Sequence, residues 1–306
     1  MDQMNRKYLL ALAGPTASGK TEMAIRLAQL FGTEIISADS RQFYHEMNIG
    51  TAAPGEEQMA LVNHHFVRHL SIHNPLDVAG FEKQALLKIN QLHEKNNLVI
   101  ITGGSGLYLD AVCRGLDNIP ETDAKVRQEV DLILKTKGLA GLQHMLKQLD
   151  PEYYKVVDLQ NPRRLQRALE VCLQTGKPFS FYRKRQPLSR PFVVIWAGIE
   201  TDRTQLINRI NLRAEAMIAS GLVEEARNMY PYSKLNALKT VGYQELFRYF
   251  DKKISLEEAI EEIKTNTRRY AKRQMTWFRK NKEIKWFGQG DVQGIINYVR
   301  SAMQTI

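Results

Sequence analysis

Uninterrupted apolar runs alternate with stretches of helical period through the first third of the chain. Residues 8–13 are apolar throughout and too few to span a bilayer, which predicts a strand buried on both faces. A Gly-containing turn follows, then a helix over about 21–31 and a second strand over 34–38. Phe81, Ala85, Leu86, Ile89 and Leu92 recur at helical spacing within 79–95, and 98–101 form another apolar run closed by Thr102-Gly103-Gly104-Ser105-Gly106. This alternation predicts an α/β fold, a parallel sheet flanked by helices. The rhythm then breaks. Between Ile119 and about Pro187 the pattern gives helices at 123–136, 139–149 and 162–174 with no convincing strand, then a basic, irregular stretch at 181–187. We therefore expect a helical insertion over 119–188 within an α/β core formed by 1–118 and 189–306. Residues 192–199 again resemble a strand and 284–287 a short last one, with long helices between them.

Composition adds one asymmetry. The 306 residues carry a net charge of +10. Residues 1–117 hold 10 Lys/Arg against 12 Asp/Glu, while the remainder holds 33 against 21. All the excess positive charge thus falls in the later part. Solubility is the bland explanation; a polyanionic partner is the sharper one, because an electropositive face attracts phosphate backbones and releases their counterions. Cys113 and Cys172 form no CxxC pair, and His64, His65, His69 and His73 fit no HExxH pattern, so neither a disulfide framework nor a zinc site is expected. With no secretory leader or spanning segment in the pattern, we expect a cytoplasmic monomer away from membranes.

The segment Gly14-Pro15-Thr16-Ala17-Ser18-Gly19-Lys20-Thr21 fits G-x-x-x-x-G-K-[ST], with an apolar run before it and a helical pattern after it. In such a P-loop, backbone N–H groups and the helix dipole converge on an anion. Lys20 adds a full charge, and the Thr21 hydroxyl can ligate Mg²⁺. The motif specifies phosphate binding without choosing a reaction. No carboxylate closes the 98–101 strand, which counts against a motor or switch NTPase and leaves a small-molecule kinase using ATP as an alternative. Asp39 follows the second strand, where residues of open α/β sheets line the ligand crevice. It is either a turn or cap residue, or the acceptor for a nucleophile approaching a phosphate-bearing ligand.

Several blocks, in order, resemble the tRNA dimethylallyltransferases: the P-loop as GPTASGKT; Asp39-Ser40-Arg41-Gln42; Gly103-Gly104-Ser105-Gly106-Leu107-Tyr108; Asn161-Pro162-Arg163-Arg164 with Arg167-Ala168-Leu169-Glu170; Val241-Gly242-Tyr243; and Lys272 to Arg279. The resemblance implies a P-loop NTPase-like sheet with a helical insertion. It also implies transfer of a dimethylallyl group from dimethylallyl diphosphate to N6 of the adenosine just 3′ of the anticodon. Gly14, Pro15, Thr16, Ala17, Ser18, Gly19, Lys20 and Thr21 would hold the diphosphate, with Arg213 nearby and Mg²⁺ on Thr21. Asp39 would accept the N6 proton, and Lys20 and Ser105 are the further catalytic candidates. Contacts to the tRNA anticodon stem-loop would come from Asp39-Ser40-Arg41-Gln42, Ser105, Arg127, Arg163-Arg164-Leu165-Gln166-Arg167, Lys239-Thr240-Val241-Gly242-Tyr243-Gln244 and Lys272-Arg273-Gln274-Met275-Thr276-Trp277-Phe278-Arg279. Gln244 stands where some members carry Arg, which weakens one expected phosphate contact. The chain lacks the paired Cys and His of a C-terminal zinc finger, so RNA grip is expected from basic helices.

The helix expected over 256–282 opens with a capping box, Ser255 and Glu258, and runs from acidic to basic. Macrodipole complementarity explains that order. It does not explain cations spread over several turns and interleaved with Tyr270, Trp277 and Phe278, which favours RNA contact, although Trp277 and Phe278 by themselves read as core. A second basic cluster comprises Arg163, Arg164, Arg167, Lys177, Arg183, Lys184, Arg185 and Arg190, a solvated face or an anticodon-stem clamp. A noncatalytic RNA-binding module with a vestigial P-loop is a further rival, opposed by the intact Lys20, Thr21 and Asp39.

Overall fold

Strand β1 (Tyr8–Ala13) is buried at every position, and its alternate side chains feed two different cores. A computed structural model describes residues 6–184 and 186–305, except the side chain of Thr305; Arg185 of the expected basic cluster lies outside the described residues. After β1 come α1 (Lys20–Phe31), β2 (Ile35–Ser37), α2 (Glu56–Leu61), β3 (His64–His65), α3 (Val78–His93), β4 (Leu98–Thr102) and α4 (Gly106–Arg114). Helices α5 (Ala124–Leu149), α6 (Pro151–Tyr154), α7 (Pro162–Thr175) and α8 (Phe179–Tyr182) follow. The chain continues through β5 (Val193–Glu200), α9 (Arg203–Ala219), α10 (Leu222–Met229), α11 (Tyr243–Phe250), α12 (Leu256–Phe278), β6 (Lys285–Gly288) and α13 (Val292–Thr305).

Among the described residues the strands form one six-stranded sheet, ordered β3-β2-β4-β1-β5-β6, with every adjacent pair parallel. Side chains alternate across a strand. Leu10 and Leu12 accordingly pack with α1 and α13, through Leu27 and Ile295. Leu9 and Ala11 pack on the other face with Phe81 and Ile89 of α3 and Leu109 of α4. A third core joins α9, α10, α11 and α12 around Leu222, Tyr243, Leu246 and Ile263.

The chain divides into two compact units: one from residues up to Arg114 together with those from Ser189 onward, the other Gly115–Leu188. The second unit is helical, with its own core of Val130, Leu142, Leu146, Leu165, Leu169 and Phe179. Gly138 at φ 63° interrupts α5, where the sequence pattern separates two helices. Asp150 ties this unit's turns together, accepting from the backbone N–H of Tyr153 at 2.9 Å and of Ser180 at 2.7 Å.

Several elements differ from expectation. Helices α2, α4, α6, α8 and α13 and the two-residue β3 were not foreseen, and α12 ends at Phe278 rather than near residue 282. Arg279 caps α12, and the chain turns at Asn281 to enter β6. No helix among the described residues is long and apolar enough to cross a membrane.

Candidate functional site

The carboxyl ends of β1, β2 and β4 open onto a polar cavity of about 220 Å³, lined in part by Thr16, Lys20, Thr21, Asp39, Arg213 and Gln274. The phosphate loop between β1 and α1 forms one wall. Gly14 has φ +147°, and a Cβ there would meet the Ile199 carbonyl oxygen at 2.7 Å, so only glycine fits the bend. Ala17 sits in the left-handed region at φ 63°. This curl aims successive amides inward before α1 begins, and the helix N-terminus adds its partial positive charge. The Ser18 hydroxyl is buried and has no hydrogen-bond partner among the described residues. The Lys20 ammonium folds back to donate to the Pro15 carbonyl at 2.6 Å. Burial lowers its pKa to about 7; Arg213 pushes the same way and Asp39 opposes. Arg213 loses part of its basicity to burial and to the charge of Arg209. Lys20, Arg209 and Arg213 thus crowd positive charge around one cavity, an arrangement that suits a polyanion.

Asp39 lies on the facing wall. Its carboxylate accepts the Arg41 backbone N–H at 3.1 Å, so it does form the local turn expected of Asp, and it faces the cavity as well. Burial raises its pKa, opposed by the Arg41 and Gly104 backbone N–H groups and by the charges of Lys20 and Arg41. The β2 and β4 loops are locked together here. Ser105 donates its backbone N–H to the Ala38 carbonyl at 3.3 Å, and its hydroxyl lies 3.2 Å from the Ser40 amide and 3.2 Å from the Ser40 hydroxyl. Ser105 therefore supports the loop that carries Asp39.

A second cavity of about 100 Å³ adjoins the first and shares Thr16, Asp39 and Arg213 with it. Its other walls include Ile210, Ala214, Met217, Val241, Ile263 and Tyr270. Asp39 sits where the polar and apolar spaces meet. Burial and the nearby Asp39 both raise the Tyr270 pKa, which keeps that phenol protonated. The arrangement suits a ligand with an anionic end and a small apolar end, with a carboxylate at the junction.

The side chains expected to contact RNA divide by orientation. On α12 and just beyond, Lys272, Arg273, Thr276, Trp277 and Arg279 are exposed and Met275 is half-buried. Gln274 and Phe278 turn inward at 6% and 3% exposure, Gln274 toward the polar cavity that it lines. Trp277 is held by its indole N–H donating to Asp110 at 2.8 Å. Lys239 and Gln244 are exposed, Thr240 and Val241 half-buried. Tyr243 is buried and donates its hydroxyl to Glu225 at 2.6 Å. In the second unit Arg127, Arg163 and Arg164 are exposed, Gln166 donates to Asp131, and Arg167 donates to Thr122 and the Pro120 carbonyl. Leu165 is fully buried. It, Tyr243, Gln274 and Phe278 face inward because each falls on the apolar stripe of its helix. Arg190 also departs from the expected cluster. It belongs to the first unit, paired with Glu82 and the Ala111 carbonyl at 9% side-chain exposure.

His64, Arg209 and Tyr270 line these cavities and were not foreseen as site residues. His64 donates from Nδ1 to the Val62 carbonyl at 2.8 Å. Its Nε2 is then an unprotonated acceptor, buried with no partner among the described residues. The only sequence signal was the run of histidines, whose spacing carries no indication of which one faces a cavity. Among the described residues no cluster of three or more His, Cys, Asp or Glu could hold a metal ion.

A parallel sheet with a phosphate loop after β1, and a carboxylate opposite it, defines a P-loop protein of the α/β class. The IPP transferase family matches residues 42–281, and the chain belongs to that family. A protein of Christiangramia forsetii named tRNA dimethylallyltransferase is 50% identical, covering 97% of this chain and 99% of its own. One of the same name from Flavobacterium johnsoniae is 48% identical over 96% and 97%. Among solved structures, the full-length tRNA isopentenylpyrophosphate transferase of Bacillus halodurans superposes with a TM-score of 0.73 at 33% identity, covering 98% of both chains. A eukaryotic dimethylallyltransferase acting on tRNA gives 0.80 at 25% identity, covering 94% of this chain and 75% of that one.

Proposed function

We propose that the protein transfers a dimethylallyl group from dimethylallyl diphosphate to N6 of the adenosine immediately 3′ of the anticodon in tRNA. The observation that carries this reading is the shared boundary of the two cavities. A cationic P-loop pocket adjoins a small apolar one, with Asp39 between them. Family membership and the names of the relatives favour the transferase over the ATP-dependent small-molecule kinase.

In this reading the diphosphate lies against the loop amides, Lys20 and Arg213. The C1–O bond of the donor breaks as negative charge builds on the leaving diphosphate, where those donors stabilise it. The C1–N6 bond forms, and the Asp39 carboxylate takes the proton that N6 loses. The apolar walls at Ile210, Met217 and Ile263 exclude water from the allylic carbon. The adenine leaves its stack to reach the pocket. Thr21 and Glu22 line the same cavity as Lys20. Hydroxyl and carboxylate oxygens together with diphosphate oxygens form a hard donor set of the kind Mg²⁺ takes. Thr21 would hold that ion, which supplies charge neutralisation on the diphosphate. Half-buried Arg41 and exposed Lys239, Lys272, Arg273 and Arg279 of the first unit, and exposed Arg127, Arg163 and Arg164 of the second, would contact the RNA.

Incubation with radiolabelled dimethylallyl diphosphate and unmodified tRNA should place label in the RNA. Asp39→Asn should retain tRNA affinity while transfer falls by roughly 10² to 10⁴, the usual range for loss of a general base. Absence of label with the wild-type protein refutes the activity; wild-type turnover by the variant removes Asp39 from the mechanism.

A further inference from the structure

Helix α12 presents cations to solvent on one face and sends a single amide into the active site on the other. Gln274 accepts the Thr16 backbone N–H of the phosphate loop at 2.8 Å. Its amide nitrogen donates to the Gly104 carbonyl at 2.8 Å. The reverse orientation would set donor against donor and acceptor against acceptor, so the network fixes which way the amide lies. The Gly104 N–H in turn lies beside the Asp39 carboxylate and helps to lower its pKa. Two hydrogen bonds therefore tie Thr16 to Gly104 through Gln274, and the Gly104 turn lies against the carboxylate. The packing leaves no slack: a Cβ on Gly104 would lie 2.4 Å from the Gln274 amide nitrogen and 3.2 Å from the Asp39 carboxylate. Two residues before Gln274 on the same helix, and immediately before it, are the exposed Lys272 and Arg273.

We propose that Gln274 is a positioning residue, whose side-chain amide sets the diphosphate loop in register with Asp39 and ties both to the cation-bearing face of α12. The inference rests on the transferase reading and gives this residue a role beyond the RNA contact expected of it. No other α12 side chain bridges both loops among the described hydrogen bonds. A shift of α12 on binding RNA would therefore move the Thr16 amide and the Gly104 turn together. Such linkage is reciprocal in its binding free energies.

The test uses the full chain with two variants of similar volume. Gln274→Met removes both hydrogen bonds. Gln274→Glu keeps an acceptor for Thr16, loses the donor to Gly104 and adds negative charge beside the cradle. Four quantities are read: single-turnover transfer at saturating substrates, tRNA affinity, inorganic pyrophosphate affinity by calorimetry, and the thermal midpoint. With Gln274→Met, the single-turnover rate should fall about 100-fold, the scale of a misplaced reacting pair, with tRNA affinity and midpoint close to wild type. Pyrophosphate binding should weaken in both variants, and more in Gln274→Glu. A wild-type single-turnover rate in Gln274→Met overturns the proposal, as does a loss that tracks tRNA affinity or the thermal midpoint. The pyrophosphate arm stands apart from the reaction. If the wild-type protein binds pyrophosphate but transfers no prenyl group, the functional reading fails while the effect of Gln274 on the cradle is still scored.

Discussion

A lysine with a pKa near 7 beside an anion site makes ligand binding depend on pH in a defined direction. Free Lys20 is lowered to about 7 chiefly by burial. Above that pH it is largely neutral, and a bound diphosphate must draw a proton back onto it. Binding should therefore consume on the order of one proton at pH 8, and affinity should climb as pH falls from 9 toward 7, then level off. Calorimetry of inorganic pyrophosphate binding in buffers of different ionisation enthalpy measures this uptake directly. Lys20→Met should abolish the lysine's share of it, whereas uptake equal to wild type in that variant would assign the proton elsewhere. Lys20, Asp39 and the Gly-rich loop were legible from sequence because each is fixed by a local strand-to-loop transition. Arg209 and His64 were not, and Gln274 was named only as an RNA contact, because their partners depend on which distant segment lies opposite them. Burial on a helix stripe also masked Gln274, which sits in sequence among residues that face solvent.

At the scale of elements, one acidic side chain holds a whole loop. Glu225 of α10 accepts the backbone N–H groups of Asn48, Ile49 and Gly50 at 2.9, 2.8 and 2.9 Å, along with the Tyr243 hydroxyl. The loop so anchored places Thr51 and Ala52 against both cavities. Glu225→Ala should orphan these donors and cost about 4 kcal/mol, roughly 1 per lost bond. A denaturant midpoint unchanged by the substitution would show that water satisfies the amides equally well. The regular elements themselves were largely readable. The capping box at Ser255 and Glu258 forms as expected, the hydroxyl accepting the Glu258 N–H at 3.1 Å. The strands β1, β4 and β5 follow from apolar runs. The strand β3 did not, because two residues carry no period and become a strand only by pairing with β2. Helix α13, unforeseen, nonetheless carries helical spacing at Val292, Ile295, Ile296 and Val299, which pack on the sheet.

For the whole molecule, the charge asymmetry seen in the sequence is carried by both compact units, which makes their contributions to RNA binding separable. Double replacement of Lys272 and Arg273 by Ala in the first unit should reduce the slope of log affinity against log salt by on the order of 2, at about 0.9 per phosphate contact. The same change at Arg163 and Arg164 in the second unit should give a similar drop. Combining the pairs should give the sum if one RNA engages both units. A slope unaffected by either pair would remove that segment from the interface.

The central strand has a further consequence for how the chain is made. Tyr8 of β1 pairs with Leu98 on one side and with Val193 on the other. As the polypeptide leaves the ribosome, strands β1 to β4 can assemble early, but one hydrogen-bonding edge of β1 stays bare until β5 emerges. The helical insertion lengthens that wait. Because closure entropy grows only logarithmically with the intervening length, the delay costs little at equilibrium. It falls on the nascent chain instead, which must carry an unpaired apolar edge through the synthesis of an entire second unit.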